Sequence, residues 1–441
     1  MTVVQFPPRS AGPVRPRHPE STILAALDVG STKVCCLIAE VIKLKSRSAG
    51  ESTQRALKVL GFGHHGARGM RAGAVVDIEE AERSIRLAVD GAERMAGITI
   101  SDVHVSVAGG RPQCVAYSGS TKVSASEVGG ADMQRAIENA MLSLDPGRRA
   151  LLHASPVQYH LDDARGVKNP VGMFGETLKV DINAVFAETG AMRNLGLAIA
   201  RCHLNPVSYV IAPYAGARAV LVRDEMMLGA AYIEMGGATT SVAVYHENRL
   251  CYADVVPLGG QHITNDIARG LSTPIAHAER LKTLHGSAIP SQSDEREHVQ
   301  VPLVGERGVD TIQSVPRSML TGIIRPRLEE TFELIRDRLE TSPFAAMAGR
   351  RLVLSGGASQ LPGVRELAGQ ILDRQVRLGT PMPLKGMPEA AMKPAFAVAA
   401  GLLDHALNPD QQVLLPERRN NRTARREGYI SRVGQWIIES F

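Results

Sequence analysis

The sequence predicts an α/β protein of two duplicated domains, each carrying an inserted subdomain. Three observations lead there. A glycine turn occurs twice in the same setting, at Asp28-Val29-Gly30-Ser31-Thr32-Lys33 and at Glu234-Met235-Gly236-Gly237-Ala238-Thr239. Each turn joins two apolar runs, Ile23 to Leu27 with Val34 to Ile38, and Ala231 to Ile233 with Val242 to Val244, which reads as strand, turn, strand. Helical spacing follows each hairpin, through Ala81, Ile85, Ala88, Ala92 and Met95 and through Ile263, Ile267 and Ala268. The texture then breaks near residues 101 and 283, where the two insertions are placed.

Composition sets the bounds. At 441 residues the chain has room for about two to four domains. Hydrophobic residues make up 44% and charged residues 22%, an ordinary globular balance, while 4% aromatics argue against a nucleic-acid binder built on stacking. The net charge of +5 owes much to arginines near the C-terminus. Five cysteines, an odd number without C-x-x-C spacing, read as reduced core thiols of a cytosolic protein. No apolar stretch approaches the ~18 residues of a spanning helix, and the first twenty residues hold no apolar signal region, so neither export nor membrane spanning is expected.

In chain order, residues 1–21 carry five prolines among arginines and suit a disordered tail. Residues 22–100 and 179–223 make the first core domain. Strands flank the first turn, a third runs from Leu57 to Phe62, and Asp77-x-x-Glu80 reads as a capping box opening a helix. Between them, 101–178 is the first insertion, with alternating Val103, Val105 and Val107, a Gly109-Gly110 turn, a helix over Asp132 to Leu144 and further strands. The first domain resumes with a strand at Val180, a helix from Ala191 to Cys202 and a strand from Val207 to Ile211.

The second core domain takes 224–282 and 341–405, with Gly259-Gly260 starting its first helix. Residues 283–340 form the second insertion, more polar and irregular, closing on a helix from Arg325 to Leu339. Arg351 to Leu354 is a short buried strand running into Ser355-Gly356-Gly357-Ala358. Ligands lie at strand ends in open α/β sheets, and Gly-Gly there admits a flat base or ribose; an ordinary turn fits these residues equally well. Pro394 to Leu403 reads as a tightly packed helix and 406–427 as a basic flexible linker.

The chemistry of the two turns is that of phosphate. Glycine allows positive φ and removes Cβ, so successive backbone N–H groups can converge on an anion, and Ser31, Thr32 and Thr239 add hydroxyls. The acids ahead of the turns, Asp28 and Glu234, suit Mg²⁺ held through water, since magnesium keeps much of its hydration shell beside one or two carboxylates.

The last segment, 428–441, places Tyr429, Ile430, Val433, Trp436, Ile437 and Phe441 on one side of a helix, with Arg432 outside that stripe. Arg422, Arg425 and Arg426 precede it and could meet anionic headgroups, each contributing about 1 kcal/mol near the surface. A helix about 21 Å long lies in the plane of a membrane and does not cross it. The competing reading is a terminal helix docked on its own domain.

Taken together, two phosphate hairpins, a Gly-Gly turn for adenosine and two insertions resemble the actin-like ATPase superfamily. The resemblance narrows to the FtsA family of bacterial division proteins through Leu152-His153 to Pro156, Tyr159 and Gly166-Val167-Lys168-Asn169-Pro170-Val171-Gly172. Thr273-Pro274, Ala278-Glu279-Arg280-Leu281-Lys282, His285-Gly286 and the terminal helix after a linker carry it further, so that it covers 22–441. It implies an actin-like ATPase fold with ATP and Mg²⁺ in the cleft between the two domains, the first insertion being SHS2-like.

By the same resemblance, Asp28, Gly30, Ser31, Thr32 and Lys33 form phosphate loop one and Gly236, Gly237, Ala238 and Thr239 phosphate loop two. Glu279 and Lys282 meet the ribose and base edge, and Gly356, Gly357 and Ala358 the adenosine. Two departures bear on hydrolysis: Glu234 stands where the superfamily usually has Asp, and Ala238 where a third Gly is common. ATP binding is therefore expected with at most weak turnover.

The role implied is a peripheral protein on the cytoplasmic side of the inner membrane at the division septum. It tethers the tubulin-like protein FtsZ of the Z ring, polymerises head to tail on an anionic membrane surface, and recruits later division proteins through 101–178. The acidic C-terminal tail of FtsZ is expected on 283–340, with Arg317, Arg325 and Arg327 as basic candidates against the alternative of a solvated helical face. Two other readings stay open. A sugar-kinase-like phosphotransferase needs a carboxylate base, and Asp162, Asp163 and Asp266 read better as turn or helix-start residues. A type IV pilus protein of the FtsA-like group shares the insertion and would lack the linker and terminal helix.

Overall fold

The computed structural model describes residues 22–43, 55–145, 147–305 and 312–409. The tail of 1–21, the linker beyond residue 409 and the terminal helix with Tyr429, Ile430, Arg432, Val433, Trp436, Ile437 and Phe441 lie outside the described residues.

Strands β1 (Ile23–Val29), β2 (Lys33–Lys43) and β3 (Arg55–Gly66) form a meander, followed by the two-residue strands β4 (Met70–Arg71) and β5 (Ala74–Val75), helix α1 (Ile78–Ala96) and β6 (Asp102–Val107). Next come β7 (Gln113–Lys122), α2 (Gly130–Leu142), β8 (Arg149–Leu161), β9 (Ala164–Val167) and β10 (Thr177–Glu188), then α3 (Thr189–Arg201), β11 (Asn205–Ile211), α4 (Ala212–Val220) and α5 (Arg223–Leu228). The second half contains β12 (Ala230–Met235), β13 (Thr240–His246), β14 (Arg249–Val256), α6 (Gly260–Gly270), α7 (Ile275–His285), β15 (His298–Pro302), β16 (Ile312–Pro316) and α8 (Arg317–Thr341). It ends with β17 (Arg351–Ser355), α9 (Val364–Leu372), β18 (Gln375–Leu378) and α10 (Ala397–Leu407).

The duplication shows in sheet order. The first five-stranded sheet runs β11-β6-β1-β2-β3 and its counterpart β18-β17-β12-β13-β14. In both, an antiparallel meander is extended by two parallel strands. Both faces of β2 are covered, Cys35, Leu37 and Ala39 in one apolar cluster and Val34, Cys36 and Ile38 in another, which is why this strand reads as a continuous apolar run.

Residues 115–145 and 154–184 form a compact unit distinct from the other described residues. Its four-stranded sheet is ordered β7-β10-β8-β9. A Cβ on Gly119 of β7 would come within 2.2 Å of the Ala140 nitrogen, so α2 lies directly on the strand backbone.

Several sequence boundaries move. Residues 102–107, expected in the first insertion, form β6, paired with β1 and β11 in the first core sheet. Residues 179–184, expected back in the core, belong to β10 in the other sheet. Alternation alone reports a half-buried strand and not which sheet owns it. Helix α8 begins eight residues before the expected Arg325 and runs through Pro326, because Leu320, Ile324, Leu328, Phe332, Ile335 and Leu339 form one buried stripe that outweighs the lost hydrogen bond. Only half of the expected capping box forms. Asp77 accepts from the Glu79 and Glu80 N–H groups, but its own N–H donates to Gly69 and the Glu80 carboxylate turns to Arg83.

Helix α10 explains the small apolar run. A Cβ on Gly401 would fall 1.6 Å from the Ala215 carbonyl oxygen of α4, a contact that glycine alone permits. None of the five cysteines forms a disulfide; Cys35, Cys36 and Cys251 are buried and Cys114 and Cys202 partly so. Among the described residues no helix is long and apolar enough to cross a membrane.

Candidate functional site

The two glycine turns have the same geometry. In the first, Val29 pairs with Val34 and the Gly30 N–H donates to the Lys33 carbonyl at 2.9 Å; in the second, Met235 pairs with Thr240 and the Gly236 N–H donates to Thr239 at 2.9 Å. Their tips meet. A Cβ on Gly237 would lie 2.4 Å from Thr32 Oγ1, so the approach exists only because residue 237 is glycine.

Different neighbours hold each turn. The Ser31 hydroxyl accepts from the Gly73 N–H at 2.8 Å, in the loop between β4 and β5, which leaves the hydroxyl hydrogen to donate elsewhere. The second turn rests on the start of α6, where Gly260 and Gln261 N–H groups donate to the Gly236 and Gly237 carbonyls at 3.0 and 2.6 Å. A Cβ on Gly259 would sit 2.7 and 2.8 Å from those two oxygens.

A cavity of about 900 Å³ opens beside the meeting point, lined by Thr32, Gly237, Gly260, Glu279, Lys282 and Ala358 among others. That size suits a drug-sized or nucleotide-sized ligand. Gly236 and Gly357 also reach its wall. Gly356 turns the chain at φ +90° behind it, where a Cβ would come 2.4 Å from the Met235 carbonyl oxygen. On the helical side the Lys282 ammonium donates to Glu279 Oε2 at 2.7 Å, to Thr264 Oγ1 at 2.8 Å and to the Gly260 carbonyl at 3.0 Å, and Thr264 donates to Glu279 at 2.5 Å. This network fixes one carboxylate and one ammonium at the cavity edge. The sequence offered Glu279 and Lys282 but not Thr264, Gln261 or Ile263; the Gly259-Gly260 pair before them was the available signal.

The acids lie at the strand ends beneath the turns. Asp28 is buried and accepts from Ser106 Oγ of β6 at 2.6 Å. Glu234 is buried and accepts from the Tyr232 hydroxyl. Burial pushes the Glu234 carboxyl up to about 7, with the charge of Asp28 adding to the rise and the Tyr232 hydroxyl and Lys33 opposing it. Among the described residues no cluster of three or more His, Cys, Asp or Glu side chains could hold a metal. A pair of carboxylates beside two glycine turns fits Mg²⁺, which keeps much of its hydration shell and takes only one or two carboxylates.

Lys33, expected in the first phosphate loop, points to another neighbour. Its ammonium donates to the Ala395 carbonyl, stands 3.9 Å from Asp28 Oδ2 and lies 4.2 Å from the centre of the Phe396 ring. The arginines expected to meet an acidic peptide all have acids of their own. Arg317 donates to Glu297 at 2.8 Å and to the His285 carbonyl at 2.8 Å, Arg325 pairs with Glu329 at 2.7 Å, and Arg327 pairs with Asp266 and Glu330.

The chain is 42% identical to the cell division protein FtsA of Rhizobium meliloti (strain 1021) over 96% of its own length and 95% of the relative's. The chain belongs to the FtsA family. The FtsA of Pseudomonas aeruginosa is 32% identical over 87% of this chain and 89% of its own, and that of Escherichia coli K12 is 30% identical over 95% and 98%. The family model "Cell division protein FtsA" matches residues 231–401, and "SHS2 domain inserted in FTSA" matches 109–186, after β6 and through most of β10.

Solved structures identify the fold as that of the actin-like ATPases. The PilM-PilN type IV pilus biogenesis complex aligns with TM-score 0.60 at 18% identity, covering 88% of this chain and 99% of that one. MreB5 of Spiroplasma citri bound to ADP aligns with TM-score 0.50 at 12% identity, covering 88% and 97%. The extent and identity of the FtsA matches set aside the pilus-protein and sugar-kinase readings as family assignments.

Proposed function

We propose that this FtsA-family protein binds one ATP with Mg²⁺ at the paired hairpins and works as a nucleotide-dependent membrane tether for FtsZ. The observation that carries the nucleotide part is the meeting of two turns of identical register, Gly237 against Thr32, at the mouth of the cavity. In this reading Gly30 and Gly236 close the two turns through their own N–H groups, and the N–H groups and hydroxyls of Ser31 and Thr32 face those of Gly237 to Thr239 across the phosphates. Asp28 and Glu234 hold the magnesium through water, Glu279 and Lys282 take the ribose and base edge, and Gly356, Gly357 and Ala358 flank the adenosine. Lys33 belongs to the first loop and offsets the charge of Asp28 beneath it.

Bound Mg²⁺-ATP supplies a terminal phosphate open to attack by water. Holding is favoured over turnover by the second turn, where Glu234 and Ala238 stand in place of the usual Asp and Gly and the Glu234 carboxylate is tied to the Tyr232 hydroxyl. Steady-state hydrolysis as fast as that of a metabolic kinase would contradict this.

The tether reading rests on the family and on the sequence of 428–441, whose apolar stripe behind a basic linker suits an in-plane helix. Residues 283–340 would receive the acidic FtsZ tail, with Arg317, Arg325 and Arg327 as the basic groups, while copies of the chain stack head to tail and the SHS2-like unit meets later division proteins. The protein would then sit on the cytoplasmic face of the inner membrane at the septum. Co-sedimentation with anionic liposomes in the presence of ATP and FtsZ tail peptide tests it, comparing the full chain with one ending at Glu427. Pelleting of the full chain alone, with the peptide, is expected; both chains staying in solution would refute the tether.

A further inference from the structure

The three arginines named as candidates for an acidic peptide are not equivalent. Arg317 is built into the fold: Nε donates to the last carbonyl of α7, His285, at 2.8 Å, and Nη1 donates to Glu297 at 2.8 Å and stands 3.6 Å from the buried Asp294. Arg325 pairs one turn along its own helix with Glu329, and both side chains are more than a third exposed. Arg327 reaches another helix. Its Nε and Nη2 grip the two oxygens of Asp266 on α6 at 2.6 and 3.1 Å, and its Nη1 donates to Glu330.

All three nitrogens of the Arg327 fork are thus occupied by carboxylates of this chain. A guanidinium binds a carboxylate best through two parallel N–H donors, and that mode is already taken by Asp266. The pair is only partly shielded, with side-chain exposures of 27% and 22%, so it is open to exchange with an incoming acid. Breaking it leaves neither ion stranded in a dry interior, which keeps the cost of exchange low.

We infer that Asp266 is an internal competitor for Arg327, so that the α6–α8 ion pair is a latch an acidic peptide must open to dock on α8. This rests on the proposal that the 283–340 region receives such a peptide. The latch also ties docking to the helix whose first N–H groups support the second glycine turn, through Gly260 and Gln261.

The test uses the full chain and a labelled peptide of the FtsZ tail from the same genome, with binding followed by fluorescence anisotropy. Asp266→Asn removes the competitor and keeps the side-chain shape. It is expected to tighten peptide binding about three- to tenfold, the weight of a partly exposed bidentate pair. Arg327→Gln is expected to weaken binding, and adding Asp266→Asn to it to have no further effect. Glu330→Gln, on the exposed side of the fork, gives a smaller tightening and serves if Asp266→Asn melts more than a few degrees below the wild type. Wild-type binding with no tightening in either acid variant would overturn the latch and leave the docking proposal standing. Folded wild type and variants that all ignore the peptide would overturn the docking proposal itself.

Discussion

The two glycine hairpins are built on one plan and finished differently. Both turns close with the same hydrogen bond and in both the acid lies two residues before the first glycine. Under the first turn, Asp28 has a hydroxyl donor from a neighbouring strand and a cation, Lys33, at 3.9 Å. Under the second, Glu234 has a tyrosine two residues back on its own strand and is pushed up to about 7 by burial. The first turn leans on a two-strand hairpin through Ser31, whereas the second is held by helix N–H groups. A duplicated turn thus keeps its backbone while the means of supporting the acid diverge. What is common to both is the backbone of the turn; what differs is the surroundings of the acid.

The difference in charge has the largest expected consequence. In the metal-free protein Glu234 rises from the usual 4.5 to about 7, so the folded state keeps a proton that the unfolded chain has lost. Its contribution is complete below pH 4.5 and is lost as pH rises through 7, a swing of about 3 kcal/mol. Glu234→Gln should remove that slope, read as the difference between wild type and variant in urea melts at pH 5 and pH 8. An unchanged slope would erase the contrast between the hairpins.

Next in size is the helix beneath the second turn. Gly259→Ala places a methyl within 2.7 Å of the Gly236 carbonyl oxygen and should cost about 2 kcal/mol of stability. Gly30→Ala and Gly236→Ala, whose Cβ atoms meet the turn carbonyls at 2.8 and 2.9 Å, should cost similar amounts to each other, because the two turns are alike. Thermal melts of the three variants would show whether the symmetry is energetic as well as geometric.

Tyr232→Phe should cost about 1 kcal/mol at pH 8, where the hydroxyl serves an ionised Glu234. The smallest effect is expected on the other hairpin. Lys33→Met keeps the stem over Phe396 and removes the charge, for a loss of about 0.5–1 kcal/mol. If Lys33→Met proved the costlier of the two, the first acid would be the less self-sufficient and the comparison would invert.

Much of this was legible in the sequence. Glycines between apolar runs, preceded by an acid, reveal both hairpins because the carbonyl across each tight turn leaves no room for a Cβ at Gly30 and Gly236. Tyr232 was not singled out, although a residue two back on a strand shares its face with Glu234. Ser106 was not readable, because its approach to Asp28 depends on parallel pairing of strands 78 residues apart in sequence. For the same reason β6 was credited to the insertion. The acid of Arg325 was within reach of the sequence, four residues along α8 at Glu329, whereas those that hold Arg317 and Arg327 come from other elements: Asp266 is 61 residues from Arg327 in the chain, and only the packing of α6 against α8 brings them together.

The two hairpins are proposed to hold one nucleotide together. Titration calorimetry of Mg²⁺-ATP into the full chain tests it most directly, with Gly237→Val as the comparison, since that side chain would occupy the space of Thr32. One ATP per chain in the wild type and a loss of about a hundredfold or more in a variant that remains folded are predicted. Undiminished binding to folded Gly237→Val, or no binding to the wild type, would contradict the account.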